Sequence, residues 1–189
     1  MDLFVCDGRP VTRERRLAKE VRTYDLLDEL KIPFKRIDHE TAMTIADCDE
    51  VDHLFGCKIY KNLFLRNSKG DEYYMVVMPG NKKFRTAILS KQLGTTRLSF
   101  ADEKYMEEFL DLTPGSVTVM GLMNDHDNKV KLVIDRELLN EKYFACHPCI
   151  NTSSIRMLTS DVIDVFLPAV HHEPVFVALG KNIYKSLTQ

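Results

Sequence analysis

Lys61-Asn62-Leu63-Phe64-Leu65-Arg66-Asn67-Ser68-Lys69-Gly70-Asp71-Glu72-Tyr73-Tyr74-Met75-Val76-Val77-Met78 sets two strand-forming runs on either side of a polar turn. Leu63–Arg66 and Tyr73–Met78 carry the apolar and aromatic side chains that suit a pleated surface. Between them Asn67, Ser68 and Gly70 supply residues that tolerate a tight reversal. The segment therefore predicts an antiparallel hairpin.

Upstream, Leu17, Val21, Tyr24, Leu27 and Leu30 recur at three- and four-residue spacing, which predicts an amphipathic helix over Thr12–Leu30 stopped by Pro33. Phe34–Ile37 reads as a short strand. His39-Glu40-Thr41-Ala42-Met43-Thr44 connects it to a helix over Ile45–Leu54, with Thr44 as N-cap. Downstream, helices are expected over Thr86–Leu93 and Asp102–Leu110. Thr113-Pro114-Gly115 then breaks the pattern ahead of Val117–Met120, read as a strand or extended loop. Further strands are expected at Val130–Ile134, Tyr143–Cys146, Ser154–Leu158 and Val175–Leu179, with a short helix over Asp161–Leu167. Strands and helices do not alternate regularly, so the fold class is α+β: one domain spanning residues 1–189, with a mixed, largely antiparallel sheet surrounded by helices.

The 189 residues suffice to bury a core without disulfide staples. Apolar residues make up 44% and charged residues 29%, and no apolar run approaches the roughly 18 residues that cross a bilayer, so no membrane role is expected. The start, Met1-Asp2-Leu3-Phe4-Val5-Cys6-Asp7, lacks the basic and then apolar character of a secretory signal, and a cytoplasmic protein is expected. Cys6, Cys48, Cys57, Cys146 and Cys149 form an odd, scattered set, expected as reduced thiols. With 26 basic and 28 acidic side chains the net charge is -2, so any nucleic-acid contact must be local. Lys58, Lys61, Arg66, Lys82, Lys83 and Arg85 offer such a local path.

Several chemistries lack their residues. Cys146-His147-Pro148-Cys149 offers two thiolates to a zinc ion, but there is no second pair, and none of His39, His53, His126, His171 and His172 stands at a recommending spacing. No metal and no cofactor is therefore expected. A redox role for the same cysteines is disfavoured because the segment reads as a strand-to-loop exit rather than a helix start. Glycine spacing fits neither a phosphate loop nor the dinucleotide fingerprint, and no serine sits in a nucleophile elbow.

Three weaker signals remain. Lys61 and Asn62 precede an apolar strand and can place an ammonium and an amide at a pocket edge, although a lysine there is usually solvated. Gly115 and Gly121 bracket Ser116, Val117, Thr118, Val119 and Met120, where backbone N–H groups can approach a ligand or simply form a turn. His147 and Asn151 flank a proline between two strands and can face a ligand or hold a loop.

In order these signals read Lys-Asn-Leu-Phe-Leu, Thr-Pro-Gly-Ser-Val-Thr-x-x-Gly-Leu and His-Pro-x-x-Asn-Thr-Ser-Ser-Ile. The combination resembles the YbaK-like aminoacyl-tRNA deacylases. More narrowly, from about Arg13 to Leu179, it is similar to the free-standing prolyl-tRNA editing proteins, relatives of the editing domain in bacterial prolyl-tRNA synthetases. The resemblance implies an α+β fold and metal-independent hydrolysis of the ester joining a wrong amino acid to the tRNA's terminal adenosine. By motif match, Lys61, Gly115 and His147 are the expected catalytic residues. Asn62, Ser116, Val117, Thr118, Val119, Gly121, Asn151 and Ser154 are the expected substrate contacts. The expected partner is the acceptor end of mischarged tRNA, with transient contact to prolyl-tRNA synthetase a further expectation. The expected substrate is alanine on the proline-specific tRNA.

One departure bears on specificity. Family loops commonly read Gly-x-x-x-Pro, whereas Gly115-Ser116-Val117-Thr118 is followed here by Val119. Losing proline's fixed φ alters the loop. Cysteinyl or seryl esters on a mischarged tRNA are therefore alternative substrates, and a catalytically silent tRNA-binding or regulatory module is an alternative of another class.

Overall fold

The hairpin forms as its sequence dictates. In the computed structural model, which describes residues 3–41 and 45–180, strands pair antiparallel over Lys61–Asn67 and Tyr73–Met78, from Lys61 opposite Met78 to Arg66 opposite Tyr73. Asn67 closes the turn: its Oδ1 accepts from the Gly70 and Asp71 N–H groups at 2.9 and 3.2 Å, and Gly70 takes φ +75°. An Asx-type side chain thus replaces the backbone partners lost in the turn.

In chain order the strands are β1 (Cys6–Asp7), β2 (Lys35–Asp38), β3 (Lys61–Asn67), β4 (Tyr73–Met78), β5 (Leu98–Phe100), β6 (Val130–Asp135), β7 (Tyr143–Cys146), β8 (Ser153–Leu158) and β9 (Val175–Val177). The helices are α1 (Ala18–Glu29), α2 (Ile45–Phe55), α3 (Thr86–Leu93) and α4 (Glu103–Leu110). A fifth, α5, runs through Thr159–Asp161, a π-turn at Val162–Phe166 and Leu167–Ala169. The strands form two sheets. One, in the order β1-β2-β8-β7, is antiparallel throughout. The other, β5-β3-β4-β6-β9, is antiparallel as far as β4 and parallel beyond it. A parallel step needs a long crossover, and the chain from Pro79 to Lys129, carrying α3, β5 and α4, supplies it.

Every residue of β4 is buried. Alternation divides them: Tyr73, Met75 and Val77 enter the main core, and Tyr74, Val76 and Met78 a second cluster on the opposite face. A strand covered on both faces reads as a continuous apolar run. β6 follows suit, with Leu132 and Ile134 in the main core and Val133 behind.

Some boundaries differ from the sequence expectation. Helix α1 begins at Ala18 rather than Thr12, because Leu17 is extended and exposed and Arg15 has φ +63°. Val117 and Thr118 are loop, but Val119–Asn124 is a 3₁₀ helix capped by the Thr118 hydroxyl. Strand β9 ends at Val177, two residues early. Short β1 and β5, each recruited by a longer neighbour, carried no periodic signal. Thr44 lies outside the described residues.

Candidate active site

The turn from β7 to β8 organises the site. Cys149 adopts φ +62°, reversing the chain so that His147 Nδ1 lies 2.9 Å from the Ser153 carbonyl oxygen. A carbonyl only accepts, so Nδ1 carries the proton and the lone pair of the neutral ring resides on Nε2. Burial lowers the His147 pKa from its ordinary value, the Ser153 carbonyl opposes this, and nearby His39 lowers it further. His147 is therefore a neutral imidazole at neutral pH, able to accept a hydrogen bond or proton at Nε2.

His39 is the residue that the sequence reading missed, having entered only as a metal ligand. It follows β2, and its ring centre lies 5.9 Å from that of His147 at 60°. Its Nε2 is 2.9 Å from the Ser154 Oγ and its Nδ1 3.1 Å from the Glu40 carbonyl oxygen. The β2–β8 register, with Asp38 opposite Ser153, brings them together. Ser154 is fully buried and serves His39 rather than facing the opening.

The loop at Gly115 closes the opposite side. Gly115 has φ +84°, and a Cβ there would sit 3.4 Å from Asn151 Nδ2. Glycine is thus favoured by conformation, while a Cβ would meet Asn151 in ordinary contact. The side chains that follow are turned inward. Ser116 Oγ donates to the Thr113 carbonyl at 2.8 Å, Thr118 is fully buried against the Cys146 thiol, and Val119 is 1% exposed in the main core. The Ser116, Met120 and Gly121 N–H groups are engaged by the Thr113 carbonyl, the Thr118 hydroxyl and the Thr118 carbonyl. Gly115, exposed, and Val117, half-buried, are the less buried positions of the loop, and their N–H groups are not engaged in these bonds.

Gly121 belongs elsewhere. It was expected to admit a ligand, but a Cβ there would lie 2.6 Å from Leu112 Cδ1 and 3.3 Å from the Leu110 carbonyl oxygen. Its missing side chain makes room for the core.

Lys61, exposed at the start of β3, donates from Nζ to the Gly80 carbonyl at 3.1 Å. Asn62 Nδ2 donates to the Tyr60 carbonyl at 3.0 Å, and its Oδ1 is buried without a partner among the described residues. A parallel bridge between Ile59 and Ala145 joins the two sheets. Two residues further along each segment stand Lys61 and His147. The bridge therefore sets the start of β3 beside the end of β7, while the Lys61 ammonium itself is turned to the Gly80 carbonyl.

The expected basic path needs correction. Lys82 is buried, its Nζ 2.7 Å from Asp135 Oδ2 and 3.0 Å from Glu137 Oε1. Arg66 faces Asp102 at 3.8 Å. Lys58, Lys61, Lys83 and Arg85 remain exposed. The Cys146 and Cys149 thiols are fully buried, and burial pushes both up to about 12, so neither is a nucleophile at neutral pH.

Residues 39–165 match the family model described as an aminoacyl-tRNA editing domain. The prolyl-tRNA editing protein ProX of Acetoanaerobium sticklandii is 36% identical over 136 residues, covering 72% of this chain and 83% of that protein. Prolyl-tRNA synthetase associated domain-containing protein 1 of Danio rerio is 30% identical over 165 residues, covering 86% and 87%. Among solved structures, hypothetical protein APE2540 superimposes with a TM-score of 0.62 at 19% identity, over 86% of this chain and 99% of that one. A candidate trans-editing enzyme for prolyl tRNA synthetase does so with a TM-score of 0.63 at 15% identity, over 87% and 99%.

Proposed function

The chain belongs to the aminoacyl-tRNA editing domain family, and from that premise we propose that it hydrolyses alanine from mischarged proline-specific tRNA, releasing alanine and free tRNA. Editing is deacylation, so the protein is a hydrolase of the aminoacyl ester. Residues 1–189 act as one deacylase domain in this reading. The single observation that supports the site assignment is the approach of the Gly115 loop to Asn151 in the turn that also holds His147, with the Ile59–Ala145 bridge setting the start of β3 alongside.

An aminoacyl ester is already activated, so the site need only orient a water and stabilise the developing oxyanion. The Gly115 and Val117 N–H groups hold the carbonyl oxygen. His147 Nε2 orients the water as an acceptor, and the neighbouring ribose hydroxyl assists. Lys61 fixes the terminal phosphate or ribose as a point charge. No protein nucleophile and no metal is required by this scheme.

Specificity follows from size. A synthetase pocket shaped for proline excludes the smaller alanine poorly, whereas a second, smaller pocket rejects proline by clash. Val119 is packed in the core, so its replacement of the family proline acts through the loop backbone rather than by lining the pocket. Among the described residues no helix is long and apolar enough to cross a membrane. We place the reaction in the cytoplasm, on tRNA passed on by transient contact with prolyl-tRNA synthetase.

The test is release of amino acid from proline-specific tRNA charged separately with alanine, cysteine, serine and proline, with and without chelator. Selective, chelator-resistant alanine release is the expected result. Selective release of cysteine or serine reassigns the pocket, and tRNA binding without any release overturns the hydrolase scheme.

A further inference from the structure

Beside the start of β3 lies a cavity of about 120 Å³. Tyr60 borders it ahead of β3, Gly80 and Asn81 after β4, Glu137 and Glu141 after β6, and Tyr143 at the start of β7. Gly115, His147 and Asn151 are not among its walls, so it is separate from the place assigned to the ester. Strand β7 spans the interval: from Tyr143 to His147 is four residues, about 13 Å at ~3.3 Å each. Lys61 follows the Ile59–Ala145 bridge by two residues, and its Nζ touches the cavity rim at the Gly80 carbonyl.

The size and chemistry of the cavity restrict its occupant. Four waters at ~30 Å³ each would fill it, which suits one small ring system and excludes an extended chain. Two of its walls are aromatic, and Tyr60 is held rigid by stacking on Phe144 at 5.8 Å and 16°. Lys58 lines it too and Lys82 holds Glu137 at 3.0 Å, which leaves the Glu141 carboxylate as an acceptor for an amine. Asn81 Oδ1 is buried with no partner among the described residues. An unpaired buried amide oxygen is costly, and a ligand N–H relieves that cost. An asparagine amide, with acceptor and donor side by side, matches the exocyclic amine and N7 of adenine.

We propose that this cavity holds the adenine ring of the tRNA's 3′-terminal adenosine, with Asn81 reading its exocyclic amine. The ribose and phosphate then pass Lys61 and the ester reaches Gly115 and His147. This assignment rests on the deacylase reading given above, of which it names the base subsite.

NMR of the full-length chain, titrated with adenosine 5′-monophosphate and separately with inosine 5′-monophosphate, tests the subsite directly, since inosine carries a carbonyl in place of the amine. Adenosine 5′-monophosphate shifts the Asn81 and Tyr143 signals and binds about tenfold more tightly than the inosine nucleotide. In Asn81→Ala that ratio falls to about one, whereas Asn81→Asp, which keeps an acceptor for the amine and offers no donor to the inosine carbonyl, retains the adenine preference. Equal affinity for both nucleotides, no shift at millimolar concentration, or shifts confined to Gly115 and Asn151 would overturn the proposal, and the comparison in the unaltered chain needs no variant. The deacylation assay separates this inference from its premise. Hydrolysis without adenine preference removes the subsite and leaves the function, whereas adenine-selective binding without hydrolysis of any charged tRNA does the reverse.

Discussion

Gly121→Ala adds a single methyl group at a place where the structure leaves none free. The new carbon would lie 2.6 Å from Leu112 Cδ1, 3.0 Å from Leu112 Cγ and 3.3 Å from the Leu110 carbonyl oxygen. Carbon atoms in ordinary contact are ~3.5–4.0 Å apart, so the overlap with Leu112 is close to 1 Å. Leu112 is fully buried, and the Leu110 carbonyl is held by Asn124 Nδ2 at 2.8 Å, which limits retreat on both sides. Overpacking of this kind costs about 1–3 kcal/mol. The lower entropy of the unfolded alanine chain returns about 0.4–1 kcal/mol. The expected net loss is therefore about 1 kcal/mol, or a Tm lower by roughly 2–4 °C for a chain of this length. Urea and thermal unfolding measure both quantities. Leu112→Ala alone costs about 2–5 kcal/mol through its cavity. Combined with Gly121→Ala, however, it leaves space for the methyl, so the double variant is more stable than the sum of the singles by about 1 kcal/mol or more. An unchanged Tm in Gly121→Ala, or strict additivity in the pair, refutes the packing account of this glycine.

Lys61→Ala retains the fold, because the exposed ammonium makes one bond to Gly80, but loses about tenfold to a hundredfold in kcat/KM for deacylation; full turnover removes Lys61 from the site. Deacylation falls once the pH drops below the depressed His147 pKa and the ring takes up a proton, and the acid limb moves to higher pH in His39→Asn because a neighbouring group that lowers the His147 pKa is gone. The same depressed pKa means that the unfolded chain binds the proton first, so His147 also contributes stability that is present above the ordinary histidine pKa and lost as pH falls; a pH profile unmoved in His39→Asn refutes the coupling. Lys82→Met strands Asp135 in the interior and lowers the urea-derived stability by about 3–5 kcal/mol, whereas a loss below about 1 kcal/mol marks Lys82 as a surface residue.

Hairpin β3–β4, helices α3 and α4, and strands β6 to β8 were legible because each is specified by neighbours within one local window. The candidate site was read from Lys61, Gly115 and His147, each of which stands in a short motif whose residue types suggest binding, and the family resemblance orders them. His39 was not, since its partner Ser154 lies 115 residues away and no periodicity links them. Lys82 was misread for a similar reason, as its partner Asp135 is 53 residues distant. Gly121 was read as an opening, because a missing side chain looks the same in sequence whether a ligand or a leucine occupies the space.

The sequence by itself determined where the backbone reverses and which runs alternate apolar and polar, because turn chemistry and side-chain periodicity act over a few residues. It also supplied the three motifs that mark an editing protein. Only the tertiary structure decided that the strands divide into two sheets joined at Ile59 and Ala145, that β4 is buried on both faces, and that His39 stands beside His147. Those outcomes depend on pairings between distant segments. Such pairings are selected by the burial of whole faces and the satisfaction of buried polar groups, which no local stretch of chain encodes.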